Sequence, residues 1–177
     1  MIYLRVAFAG VLLAVSVMLA RMKAQKLDLR AKALSDFMGF VRQLEVLIRV
    51  NGRPIPDALM ECSHRFSGNW TAVFSKTLAD LYHNRARAAG LWEAALSETA
   101  KDAEEPACLT VEDRQIISLF GDQLASSDMK SIGENYAFLY SRIGENLQAS
   151  DRDKAVKGKL YNTVGMLAGL AAAIIVL

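Results

Sequence analysis

Leu160 to Leu177 contains no ionisable side chain, and it directly follows a basic cluster of Arg152, Lys154, Lys157 and Lys159. Eighteen residues in α-helix rise about 27 Å, close to the ~30 Å hydrocarbon thickness of a bilayer. A second run stands at the other end of the sequence. Val6 to Ala20 is apolar except for Ser16, carries only Arg5 just ahead of it, and is followed by Arg21, Lys23, Lys26, Arg30 and Lys32. A cleaved signal peptide would place its charge ahead of the apolar run and small residues at its cut site. Here most of the charge follows, and Met18 with Ala20 is a poor cleavage pair. The pattern predicts two transmembrane helices, 1–20 and 160–177, around a domain at 21–159. Both inner flanks are basic, and Lys and Arg near span ends resist translocation, which puts the middle domain in the cytosol.

The 139 residues between the two runs are the size of one domain. All 19 acidic residues fall there, together with every basic residue except Arg5, so this region is near neutral and offers no basic field for nucleic acid. The charge is uneven along it. Arg21 to Arg53 holds eight basic and three acidic residues, whereas Glu93 to Asp113 holds seven acidic residues and Lys101 alone as a base. Basic residues beside a membrane are attracted to anionic lipid, and the acidic stretch reads either as a solvated helix face or as a surface for a partner, with Glu98, Asp102, Glu104 and Glu105 as its candidate contacts.

No stretch alternates β-branched with polar residues, and Ala, Leu, Arg and Glu dominate, so an all-α cytosolic bundle of about six helices is expected. Leu34, Phe37, Met38, Val41, Leu44, Leu47 and Ile48 recur at helical spacing over 27–50, and Asn51-Gly52-Arg53-Pro54 ends that helix. A short helix is expected from Pro56 to Phe66. The next has Trp70, Val73, Phe74, Thr77, Leu78 and Leu81 on one face, and another runs from Leu91 to Lys101. Residues 102–109, with Pro106, read as an exposed loop. Thr110 to Asp113 resembles a capping box for a helix with Ile116, Ile117, Leu119, Phe120 and Leu124 inward. Ser126-Ser127-Asp128 opens a final long helix in which no proline intervenes before the last span, so the bundle's last helix is expected to continue into the membrane. Within that span Gly165 and Gly169 form a G-x-x-x-G pair for close helix packing, with Gly10 and Ala14 of the first span as a facing surface.

Chemistry-bearing motifs do not emerge. Gly158-Lys159 lacks the glycine a phosphate loop needs five residues earlier, and H-E-x-x-H, G-x-S-x-G and dinucleotide fingerprints are missing. Cys62 and Cys108 are too far apart for a short zinc or redox pair, and Cys62-Ser63-His64 with His83 falls short of a metal set. No catalytic, cofactor-binding or metal residue is assigned.

The order of features is more specific than any one of them. Leu44-x-x-Leu47-Ile48 leads into Asn51-Gly52-Arg53-Pro54-Ile55, followed by Trp92-Glu93, Ile117-x-x-Phe120-Gly121-x-x-Leu124 with Asp128, then Lys159-Leu160-Tyr161 and Gly165-x-Leu167-x-Gly169-Leu170. In this the chain resembles the stage III sporulation protein AB family of endospore-forming bacteria. The resemblance implies a membrane protein of the mother cell, placed around the forespore in a secretion-like channel complex. It also implies similarity to the helical cytoplasmic domains of type II secretion F-type platform proteins. Its implied partners are the ATPase-like stage III sporulation protein AA, the other channel subunits and membrane lipid, with self-association open. Two rival readings are a membrane sensor with an extracytoplasmic ligand-binding domain and an enzyme with an unfamiliar polar pocket.

Overall fold

The computed structural model describes residues 2–84, 90–126 and 132–176, whose regular elements are all helices, with no strand among them. The helices are α1 (Ile2–Glu45), α2 (Ile55–Arg65), α3 (Trp70–Asn84), α4 (Leu91–Asp102), α5 (Glu104–Ala107), α6 (Val111–Ser126) and α7 (Ile132–Val176), with one π-helical turn, Val46–Val50, directly after α1. They form two compact units: Met1–Ala31 with Ala149–Leu177, and Lys32–Gln148. The expectation of an all-α chain with a long last helix holds, since α7 runs 45 residues without a break. Among the described residues no helix is long and apolar enough to cross a membrane.

The larger unit is built around aromatic side chains. The stripe read from the sequence is the buried face of α1: Leu34, Phe37, Val41, Leu44, Leu47 and Ile48 are enclosed, and Phe40 joins them. Phe37 and Phe40 meet Phe74 of α3, and Trp92 of α4 packs against Phe40, Phe74 and Phe120 with ring centroids 5.6–6.5 Å apart. Such tilted and edge-on pairs add to the area they bury. Asn51-Gly52-Arg53-Pro54 stops the chain as expected. Gly52 takes φ 65, which a side chain would strain, and Pro54 then sits at the N-cap of α2.

Three details depart from the sequence reading. Residues 102–109 are not wholly an exposed loop: Glu104–Ala107 forms a helical turn, and Pro106 and Leu109 are buried against the bundle. Val73 and Leu119, expected inward, are each 48% exposed, because Phe74 and Phe120 beside them take the core positions. Leu124 lies within α6 but its side chain is outside what is described, as are Ser127 and Asp128 altogether. The capping box does form, with an aspartate in place of the usual glutamate. Thr110 N–H donates to Asp113 Oδ2 at 2.9 Å, and Asp113 N–H donates to Thr110 Oγ1 at 3.2 Å.

The smaller unit is an antiparallel helix pair. Ser16 lies opposite Gly165, Lys23 opposite Tyr161 and Asp28 opposite Lys154, which fixes its register.

Candidate functional site

The acidic stretch is arranged by α4. Its buried stripe, Leu91, Trp92, Ala95, Leu96 and Thr99, turns Glu93, Glu98 and Asp102 outward. Glu98 accepts from Lys101 Nζ at 2.8 Å, an exposed pair of small energetic weight. Asp102 and Glu104 are exposed, so the surface retains net negative charge. Glu105 behaves differently. It accepts from Lys32 Nζ at 2.8 Å, and that hydrogen bond holds its carboxyl below the ordinary glutamate range while raising the lysine. Nearby Asp36 is pushed upward, chiefly by desolvation and against the pull of Lys32. An open groove beside this surface is lined by Glu93 of α4 and by Val111, Arg114, Gln115, Ser118 and Leu119 of α6.

Asp113 is a different kind of carboxylate. It is 1% exposed, and besides capping α6 it accepts from Asn146 Nδ2 of α7 at 2.8 Å, which ties those helices together. The Cys62-Ser63-His64 segment does not converge: Cys62 faces the core, His64 is exposed, and Ser63 Oγ donates to Met60 O at 2.7 Å. Among the described residues no group of three His, Cys, Asp or Glu side chains is placed to hold a metal ion. What the described residues of this unit present at the surface is charge around an open groove.

In the smaller unit Gly165 makes a close helix contact. A Cβ added there would stand 2.5 Å from Ala20 Cβ, and Ser16 Oγ donates to Gly165 O at 2.9 Å. The facing residues are thus Ser16 and Ala20, not the expected Gly10 and Ala14, both of which are exposed. The register decides this, and the small-x-x-x-small spacing of Ser16 and Ala20 is a signal that could have identified them. The surroundings of Gly169 lie outside the described residues. Gly165→Leu is expected to part the helices, weakening the pair by about 1–3 kcal/mol. Hydrogen exchange at amides 14–20 and 161–167 reads this, and unchanged protection would refute it.

Outward, the pair is apolar. On α1, Val11, Val15, Met18, Leu19 and Met22, and on α7, Leu160, Val164, Met166, Leu167 and Ile174, are between 48% and 73% exposed. Apolar side chains facing out around an inward serine hydroxyl invert the usual pattern of a helix pair in water.

Fold and surface together define a protein that is helical throughout its described elements, with an apolar-faced helix pair and a charged helical unit. More particularly, the chain belongs to the stage III sporulation protein AB family, whose sequence profile matches residues 5–177. No curated protein and no solved structure matches it.

Proposed function

We propose that this protein is a non-enzymatic platform of a sporulation-specific, secretion-like channel complex between mother cell and forespore. In this reading 1–20 and 160–177 cross the membrane, 21–159 stays in the cytosol, and the helical domain docks an ATPase-like partner. The observation that carries it is the outward apolar surface of the α1–α7 pair, with Ser16 bonded inward, since a lipid-facing pair buries its polar groups and exposes its apolar ones. Family membership and the uncharged stretch Leu160 to Leu177 support it.

For docking, the acidic surface of α4 and α5 is the proposed contact, with Glu98, Asp102 and Glu104 meeting basic side chains of the partner. Charges at such a rim act mainly on association rate and salt dependence. The full chain reconstituted in nanodiscs is expected to bind the family's ATPase-like stage III sporulation protein AA. Glu98→Lys, Asp102→Lys and Glu104→Lys together should weaken that binding by about tenfold or more. Absence of association at every salt and nucleotide condition would sink the docking role. Unaltered affinity in the triple variant would leave docking standing and move the contact elsewhere.

A further inference from the structure

We propose that the inner end of the α1–α7 pair carries a basic collar that selects anionic phospholipid headgroups; this rests on the membrane reading above. The register places Lys23 and Tyr161 at one level and Asp28 and Lys154 about a turn and a half further along, so cations of both helices share the same short length of the pair. Residues 21–31 and 151–159 hold eight basic side chains against three acidic ones.

Two of those three acids are already engaged. Asp28 pairs with Lys154 at 3.2 Å, and Asp153 pairs with Lys157 at 2.8 Å. Arg21, Lys26, Arg152 and Lys159 are exposed, and no carboxylate pairs with them among the described residues. Lys23 Nζ lies 5.7 Å over the centroid of the half-buried Tyr161 ring, an arrangement of amphipathic side chains that suits a membrane–water boundary.

What lies next to the collar identifies its occupant. Within one turn of Lys23 on α1 the exposed side chains become Leu19 and Met22, and within about one turn of Lys159 on α7 they become Leu160 and Val164. An apolar band that gives way to unpaired cations on both helices matches the layering of acyl chain and phosphate in a leaflet. Long Lys and Arg stems can lie along the apolar surface while their charges reach the phosphodiesters. A phosphate-bearing, net-negative headgroup satisfies the free cations; a zwitterionic one leaves their charge uncompensated.

The test uses the full chain in bilayers containing spin-labelled phosphatidylglycerol or spin-labelled phosphatidylcholine, with electron paramagnetic resonance reporting lipid held at the protein surface. A motionally restricted component is expected with both lipids, and phosphatidylglycerol should be preferred about fivefold or more, the effect of one or more surface cations. That preference should fall toward unity in the Arg21→Gln, Lys26→Gln, Arg152→Gln, Lys159→Gln variant, and likewise in about 0.5 M salt. Arg21→Lys with Arg152→Lys should retain it. A restricted component with equal affinity for the two lipids, or a preference that survives the four substitutions, overturns the collar and leaves the anchoring intact. No restricted component with either lipid overturns the anchoring itself.

Discussion

Gly121→Ala destabilises the helical unit by about 3 kcal/mol, although the same exchange on an exposed helix would favour alanine by up to ~1 kcal/mol. The reason is the indole of Trp92, which lies flat against the Gly121 backbone. A Cβ there would stand 1.9 Å from Trp92 Cδ1 and Cγ, inside any real contact distance. The ring has nowhere to retreat. Phe40, Phe74 and Phe120 surround it with centroids 5.6–6.5 Å away, and only 1% of the residue is exposed. Trp92→Ala instead leaves a cavity among those rings and should cost about 4 kcal/mol. The two positions are coupled, so Trp92→Leu with Gly121→Ala should cost at least ~1 kcal/mol less than the separate effects combined, because the smaller side chain makes room for the methyl. Denaturant unfolding of the full chain in mild detergent measures all four states of the cycle. A Gly121→Ala chain as stable as its parent would show that the helices slide freely past each other here, contrary to the packing described.

That contact shows what a sequence can and cannot disclose. Trp92-Glu93 and Phe120-Gly121 are both visible as letters, and the helical spacing of Leu34, Phe37, Val41 and Leu44 places a buried stripe without any coordinates. Period gives the face of a helix. It does not give the level at which one helix meets another, so the pairing of Trp92 with Gly121 was not legible. The same limit holds at Gly165: the sequence offers Gly10 and Ala14 as available facing residues, and the register brings Ser16 and Ala20 instead. Leu119 and Val73 were misplaced because a 3.6-residue period leaves two neighbouring positions competing for the core, and the larger ring takes it. At the candidate surface, Glu98, Asp102 and Glu104 followed from local charge, whereas the bond of Glu105 to Lys32, 73 residues away, could follow only from the fold.

Stability is expected to fall steeply as pH rises above 9, well before the chain as a whole becomes strongly charged. Three neutral acids lie in the helical unit, Cys62 and Tyr136 buried and Tyr140 half-buried. The Cys62 thiol is fully enclosed, and desolvation, with a smaller contribution from Glu61, pushes it from an ordinary 9.0 up to about 12. Tyr136 is raised mainly by burial, and Tyr140 by burial together with the 2.7 Å hydrogen bond it donates to Glu45. A group whose value is higher folded than unfolded holds its proton longer in the native state. Below pH 9 the thiol is protonated in both states and its contribution to stability is fully present. Between pH 9 and about 12 the unfolded chain ionises first, and that contribution is lost. At pH 11 the thiol alone accounts for about 3 kcal/mol, a large share of a typical domain's stability. Above pH 10 both tyrosines act in the same direction, and ionising Tyr140 would set a phenolate against the Glu45 carboxylate. Unfolding free energies from pH 7 to 11, taken on the full chain in detergent, should decline with a slope that Cys62→Ala reduces between pH 9 and 10. Over the same range the Cys62 thiol should alkylate only at the rate at which the unit opens. A flat profile to pH 11, or an unchanged slope in Cys62→Ala, would mean that the thiol meets water in the native state and that the core around α2 and α7 is looser than its packing indicates.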